Sequence, residues 1–267
     1  MTKWLFSDFD GTIEIHSDPE ITNKNVKFLK EWVNNGNKLV LASGRSHSSL
    51  KKKANFYGLQ PEYYVTNNGS CTFKKDGSNL EEIFIAKEDR NELLKSMIKY
   101  EDSSNIVYVV SEGKRGFSLT EKTEENAVEH DHLVETFYNH GVDKERAIVD
   151  VIEREDLYGI YFILDKPHGG HKILNDYTDH KNIKVIYTSK RLIEMMPKHV
   201  SKARGIKIIS KLENIKLENI YSAGDSQNDI EMLRFTNNSF AMNEGHNDTK
   251  KAAKNNVDNL HDIKNYI

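Results

Sequence analysis

Near the amino terminus, the stretch Asp8-Phe9-Asp10-Gly11-Thr12 begins one residue after the apolar residues 4–6. A short apolar run of this kind is typical of a buried strand, and residues two apart on an extended chain point to the same side. We therefore expect Asp8 and Asp10 to project together from the carboxyl end of a strand, where open parallel sheets bind ligands. Alone, the stretch is equally compatible with an acidic turn that caps a strand or binds calcium.

Apolar runs and segments of helical period alternate on either side of a long central region. Strands are predicted at 4–6, 38–42, 63–66, 219–223 and 239–242, and helices at about 22–35, 46–57, from 201 and from 226. Thr22 is the candidate N-cap of the first helix and Gly36 its end. This alternation predicts an α/β fold, a doubly wound, Rossmann-like parallel sheet with crossover helices.

The central region has a different texture and predicts an inserted α+β domain. Two or three helices separate its predicted strands, which lie at 83–85, 106–110, 117–120, 158–164 and 183–187. The second and third of these strands suggest a hairpin with Gly113 in its turn. The predicted organisation is residues 1–82 and 189–267 for the core and 83–188 for the insertion. The Lys- and Asn-rich tail past Asp248 is predicted to be a solvated face or a frayed helix.

A second acidic strand end occurs at Gly224-Asp225-Ser226-Gln227-Asn228-Asp229. It follows an apolar strand and opens a helix, so Asp225 is expected at the strand tip and Asp229 one helical turn further on. Two acidic strand ends can share one cation. The alternative is that Asp225 or Ser226 only caps the helix, and both roles can coexist.

Two further positions could bind an anion. Ser43 and Gly44 end the strand at 38–42, and they offer a hydroxyl and an amide at the start of a helix. Lys202 falls in the first turn of a predicted helix, where the positive end of the helix dipole disfavours a cation unless an anion lies nearby.

Together, Asp8 and Asp10, Ser43, Lys202, and Asp225 with Asp229 resemble in this order the motifs of the haloacid dehalogenase superfamily. The resemblance covers essentially the whole chain. The size and position of the insertion, the sequence at 196–202 and Asn67-Asn68-Gly69 are similar to the Cof-type branch, which carries a large α/β cap.

The resemblance implies that Asp8 attacks phosphorus. Asp10 would protonate the leaving oxygen and then deprotonate the water that cleaves the aspartyl phosphate. Mg²⁺ would be held by Asp8, the Asp10 carbonyl and Asp225, with Asp229 orienting these ligands. The first task needs a proton on Asp10 at neutral pH, so its pKa is predicted to be raised.

The resemblance also implies a set of residues that hold the phosphoryl oxygens and substrate. They are Thr12, Ser43, Gly44, Lys202 and Asn228. Substrate selectivity would come from the insertion, where 113–116 and 168–171 are the candidate segments.

Other residues in the sequence are weaker candidates for sites. The pairs His130 with His132 and His168 with His171 lack a third metal ligand at a recognisable spacing, so solvated polar residues are favoured. Cys71, the one cysteine, has no sequence-adjacent histidine or basic cluster and is interpreted as buried packing. Its solitary occurrence excludes an intramolecular disulfide.

Composition limits the partners. With a net charge of −3, the chain offers no broad basic surface for binding nucleic acid. It contains no run of about 18 consecutive apolar residues, so no membrane span is predicted. We expect a cytoplasmic monomer.

The predicted function is a magnesium-dependent phosphatase acting on a small phosphorylated metabolite, such as a sugar phosphate or phosphorylated cofactor. One alternative is a phosphomutase or phosphotransferase, which would pass the same phosphoryl group to a second hydroxyl. A non-catalytic phosphometabolite sensor is disfavoured because Asp8, Asp10, Ser43, Lys202 and Asp225 are all present.

Overall fold

The computed structural model describes residues 1–111, 113–117, 140–164, 166 and 169–267. The chain divides into a core unit, Met1–Glu82 with Val200–Ile267, and an inserted unit, Ile83–His199. Within the described residues, no helix combines the length and the apolar character that crossing a membrane requires.

The strands follow one another along the chain as β1 (Trp4–Ser7), β2 (Lys38–Ala42), β3 (Tyr63–Thr66), β4 (Cys71–Lys74), β5 (Asn79–Glu82), β6 (Ser104–Val110), β7 (Gly113–Phe117), β8 (His140–Gly141), β9 (Leu157–Leu164), β10 (Ile183–Ser189), β11 (Leu192–Pro197), β12 (Ile220–Gly224), β13 (Asn238–Met242) and β14 (Asn255–Val257). The α-helices are α1 (Pro19–Asn34), α2 (His47–Tyr57), α3 (Arg90–Tyr100), α4 (Lys144–Glu153), α5 (His171–Asp176), α6 (Lys202–Leu212), α7 (Ile230–Phe235) and α8 (Asn247–Ala252). Short 3₁₀ helices occur at Asn67–Gly69, Lys87–Asp89, Leu217–Asn219, Gln227–Asp229 and Leu260–Tyr266.

The core unit is built on an eight-stranded sheet in the order β14-β13-β12-β1-β2-β3-β4-β5. The strands from β14 to β3 are parallel, whereas β4 and β5 pair antiparallel at the edge. Because β1 lies between β2 and β12, the carboxyl ends of these three strands adjoin. The predicted doubly wound α/β fold is confirmed.

Both faces of the core sheet are covered, because alternate residues of each strand point to opposite sides. Leu5 and Leu39 pack with α1 on one face, and Phe6 and Val40 pack with Ile206 of α6 on the other. Burial on both faces accounts for the continuous apolar runs that identified these strands.

The inserted unit contains a six-stranded sheet in the order β10-β11-β9-β6-β7-β8. All neighbouring pairs are antiparallel except β7 with β8. The predicted hairpin is confirmed as β6 with β7. Gly113 is not in its turn, however, because it pairs with Val110 as the first residue of β7.

The inserted unit continues past the predicted second domain boundary, after residue 188, as far as His199. Strand β11 was missed, and it pairs with both β9 and β10, which places residues 189–199 in the inserted unit. The turn between β10 and β11 contains Lys190 and Arg191. It lacks the Gly or Asn that marks many tight hairpins, so no turn was predicted there.

Two other element predictions were wrong. Residues 83–85 are not a strand; the preceding polar stretch forms β5, which draws its stability from hydrogen bonds to β4 rather than from burial. Helix α1 begins at Pro19, not near Thr22, because Asp18 accepts from the amides of Glu20 and Ile21.

The carboxyl-terminal tail is part of the core and not a frayed or solvated segment. Strand β14 pairs with β13, and Val257, Leu260 and Ile263 are buried in the cluster beneath α1. Because Lys and Asn residues dominate its composition, the tail was predicted to be solvated, although these three apolar residues recur at every third position.

Candidate active site

The first acidic stretch lies at the carboxyl end of β1, as its sequence predicts. The amide of Asp8 donates to the carbonyl of Ala223 at 2.9 Å, which ties this strand end to that of β12. Gly11 then turns the chain with φ +84°, a conformation that glycine adopts without strain. The Gly11 amide closes the turn by donating to the carbonyl of Glu14 at 3.0 Å.

Lys202 joins the two acidic strand ends. Its side chain is completely buried, and Nζ donates at 2.6 Å to both Asp8 Oδ1 and Asp229 Oδ1. These carboxylates are the anions that permit a cation in the first turn of a helix. The two pairings raise the pKa of Lys202 against the lowering effect of burial, so the amine is charged.

The segment after β12 carries two carboxylates with different contacts, Asp225 and Asp229. Asp225 Oδ1 accepts from the Thr12 hydroxyl at 2.8 Å, which links it to the first acidic stretch. Asp229 Oδ2 accepts from the amides of Asp225 and Ser226, each at 3.0 Å. Asp229 therefore orders the turn, and Ser226 is the N-cap of the short helix that follows, so the capping role also exists.

The carboxylates of Asp8, Asp225 and Asp229 fit a divalent cation. One oxygen from each lies within 4.8 Å of the other two, and hard carboxylate oxygens suit Mg²⁺. Burial raises the pKa of Asp8 well above its usual range despite Lys202, and the neighbouring carboxylates raise it further. Burial and Asp229 also raise the pKa of Asp225 to about 7. A cation would relieve this repulsion, since it favours the ionised forms.

The predicted phosphate-binding residues are connected through the turn Asn67–Gly69. Asn68 Oδ1 accepts from Asn228 Nδ2 at 2.8 Å, and the Asn68 amide donates to the carbonyl of Ser43 at 3.1 Å. Ser43 is buried, and Gly44 lies in the bend that follows it. The turn thus brings the end of β2 and the segment after β12 together.

Gly69 makes the same turn compact. It has φ +96°, and a Cβ built on it would lie 2.0 Å from the carbonyl oxygen of Ser201. The residue before Lys202 is therefore packed directly against this backbone, which fixes the start of α6. Cys71, just beyond, is buried as predicted and accepts from Asn67 Nδ2 at 3.5 Å.

The prediction of a raised pKa for Asp10 is wrong. Arg45 binds its carboxylate in a bidentate manner, with Nε donating to Oδ2 at 2.7 Å and Nη2 to Oδ1 at 2.6 Å. Burial raises the pKa of Asp10, but the interactions with nearby His16 and with Arg45 outweigh it and hold the pKa far below its usual range. In this structure Asp10 is a carboxylate, and so is ready to accept a proton rather than to give one.

The residues around Asp10 were not predicted from the sequence. Arg45 directly follows Gly44, so its place at a strand end was a usable signal. Glu14 lies two residues after Thr12 and is buried against Lys53 and Tyr57 of α2. No local pattern distinguishes it from an ordinary solvated glutamate.

The histidine candidates fall largely outside the described residues, which do not include His130, His132 or His168. His171 begins α5 in the inserted unit. Residues 113–116 belong to β7. Their role in substrate selectivity stays a prediction.

Gly11→Ala is expected to destabilise the protein more than Gly36→Ala does. Both glycines have φ near +80°, where an L-residue costs roughly 1–2 kcal/mol. A Cβ at Gly36 meets nothing within 4 Å, whereas one at Gly11 would lie 2.5 Å from Asp225 Oδ2. Denaturant unfolding and aryl phosphate turnover would measure the two variants. Equal stability losses in the two variants, or unchanged turnover in Gly11→Ala, would contradict the close packing of Gly11 against Asp225.

Comparison with known proteins identifies the family to which the chain is similar. The family model of the haloacid dehalogenase-like hydrolases matches residues 5–264, which confirms the resemblance drawn from the motifs. An uncharacterized protein of Mycoplasma capricolum is 27% identical over 99% of this chain and 100% of its own length. Phosphatase YwpJ of Bacillus subtilis is 22% identical over 94% of this chain and 93% of its own. Among solved structures, the subclass IIB sugar phosphatase BT4131 has a TM-score of 0.80 and 21% identity, with 99% of each chain covered.

Proposed function

Because the chain belongs to the haloacid dehalogenase-like hydrolases, we propose that it is a magnesium-dependent phosphatase of small phosphomonoesters that works through an aspartyl phosphate. One observation carries the proposal: the buried Asp8 carboxylate is bound by Lys202 beside Asp225 and Asp229. A carboxylate held between a fixed cation and a cation-binding cluster can approach a phosphate dianion, which would otherwise repel it.

In the proposed first step, an Asp8 oxygen attacks phosphorus while the ester P–O bond breaks. Asp10 gives its proton to the leaving oxygen. Since Arg45 stabilises the ionised form of Asp10, this step requires that the Asp10 carboxyl gain a proton and that the bidentate contact loosen when substrate binds.

In the second step, Asp10 takes a proton from water. The water oxygen attacks phosphorus, the bond to Asp8 breaks and inorganic phosphate leaves. The Asp10–Arg45 arrangement suits this half of the reaction, because the base is already ionised.

Mg²⁺ held by Asp8, Asp225 and the Asp10 carbonyl would neutralise phosphate charge. Asp229 fits a supporting position, because Lys202 and two backbone amides already bind its oxygens. Lys202, Ser43, the Gly44 amide and Asn228 would hold phosphoryl oxygens, and Thr12 holds Asp225 in place.

The proposal of a small substrate is supported by the similarity to a sugar phosphatase of the same fold. A panel of phosphorylated metabolites, assayed by phosphate release, tests it. Release without any acceptor identifies a hydrolase, whereas release or transfer only with an added sugar would identify a phosphotransferase.

Removal of metal is expected to abolish turnover of p-nitrophenyl phosphate. Without a cation, the crowded carboxylates of Asp8 and Asp225 favour protonated forms, and protonated Asp8 is a poor nucleophile. Turnover would be measured after dialysis against EDTA and again after addition of excess Mg²⁺. Recovery with Mg²⁺ is expected, and full activity in the dialysed protein would contradict the proposed metal dependence.

A further inference from the structure

Glu14 is a buried carboxylate that the proposed mechanism does not use. Its side chain lies beside α2, where Oε1 accepts from Lys53 Nζ at 2.7 Å and from the Tyr57 hydroxyl at 2.6 Å. Oε2 also accepts from Lys53, at 2.9 Å. Only 5% of Glu14 is exposed. A buried charge destabilises a protein unless it is paired and hydrogen-bonded. For Glu14, Lys53 and Tyr57 of α2 donate these hydrogen bonds.

Glu14 also lies next to the cation that binds Asp10. Arg45 Nη2 is 4.0 Å from Glu14 Oε2 and 2.6 Å from Asp10 Oδ1. Charges thus alternate along the series Asp10, Arg45, Glu14 and Lys53. His16 Nε2 is 3.7 Å from carboxylate oxygens of both Asp10 and Glu14.

The backbone couples the same two acidic residues. Asp10 and Glu14 form a parallel β-bridge, and the Gly11 amide donates to the Glu14 carbonyl at 3.0 Å. The hydrogen bonds from Lys53 and Tyr57 to the Glu14 side chain therefore help to fasten the turn that carries Asp10 to α2. A shift of that side chain moves both the turn and the guanidinium that Asp10 contacts.

We propose that Glu14, held by Lys53 and Tyr57, is a positioning residue that fixes how Arg45 presents the carboxyl group of Asp10 to the leaving group. The inference rests on the proposed function of Asp10. Without the negative charge of Glu14, Asp10 is the one carboxylate left of the two that lie within 4.0 Å of Arg45 among the described residues. Arg45 then binds Asp10 more exclusively, and Asp10 is withdrawn from the leaving oxygen.

The test uses Glu14→Gln and a series of substituted phenyl phosphates whose leaving phenols differ in pKa. A good leaving group departs without a proton, whereas a poor one needs general-acid help. Glu14→Gln is expected to lower kcat/KM about tenfold for the poorest leaving group. This loss is smaller than the roughly 10²–10⁴-fold that general acid–base catalysis typically contributes, because Asp10 itself is kept. For the best leaving group we expect little change, so the dependence of rate on leaving-group pKa becomes steeper.

Two further variants keep the result interpretable. Tyr57→Phe removes a single donor to Glu14 and should steepen the dependence in the same direction, by a smaller factor. Glu62→Gln is the matched control, because Glu62 Oε1 also accepts from a lysine, Lys38, at 2.9 Å in the core unit. The control should leave the leaving-group dependence unchanged.

Each outcome separates the inference from the function on which it rests. If the wild type hydrolyses the series but Glu14→Gln lowers all rates by one common factor, or leaves them unchanged, Glu14 is only structural and the inference is overturned. If Glu14→Gln does not fold, Tyr57→Phe alone decides by the same criterion. If the wild type hydrolyses none of the aryl or metabolite phosphates with Mg²⁺, the proposed function itself fails.

Discussion

Asp8→Asn is expected to lower turnover of p-nitrophenyl phosphate by at least about 10³-fold, because an amide cannot replace the attacking carboxylate. The fold should persist. The side-chain oxygen of asparagine can still accept from Lys202, and burial already disfavours the ionised form of Asp8. Steady-state rates and thermal unfolding of both proteins would be measured with Mg²⁺ present.

The covalent intermediate gives this prediction a second readout. Wild-type protein that is quenched in acid within the first turnover of a substrate with a good leaving group should carry a covalently bound phosphoryl group, and Asp8→Asn should carry none. Asp76→Asn is the control, since Asp76 is an exposed carboxylate in the turn between β4 and β5. Turnover by Asp8→Asn close to that of the control would rule out Asp8 as the nucleophile.

Lys202→Met is expected to damage both stability and activity. Methionine fits a buried position, but it leaves Asp8 and Asp229 without the amine that each contacts at 2.6 Å. Removal of one partner from a buried ion pair typically lowers the free energy of unfolding by about 3–5 kcal/mol. Loss of a fixed charge beside the transferred phosphoryl group should lower kcat by about 10²–10³-fold.

Urea unfolding and steady-state kinetics would measure these two losses. Lys211→Met is the matched control, because Lys211 lies on the exposed side of the same helix. It should change the free energy of unfolding by less than about 0.5 kcal/mol. Equal stability of the two variants would show that Lys202 does not carry the buried pairing described above.

The sequence predicted the core strands and the positions of the acidic strand ends well. Strands β1 and β2 are buried on both faces, so each contains a continuous apolar run followed at once by polar residues. Strand β12 is buried in the same way, and its run is interrupted only by Ser222. Strands that depend on pairing with neighbouring strands were not predicted. Strand β5 is polar and β14 has only three residues, so hydrogen bonding to adjacent strands, rather than their own composition, makes them strands.

Asp8 and Asp10 show where sequence information ends. That both project from one strand end follows from the two-residue period of an extended chain, a local property that the sequence determined by itself. Their electrostatic states were decided only by the tertiary structure, because Lys202 is 194 residues from Asp8 and Arg45 is 35 residues from Asp10. Burial among carboxylates raises the pKa of Asp8, and a bidentate guanidinium lowers that of Asp10. Such effects depend on distances of a few ångströms through space, which the order of residues along the chain does not specify.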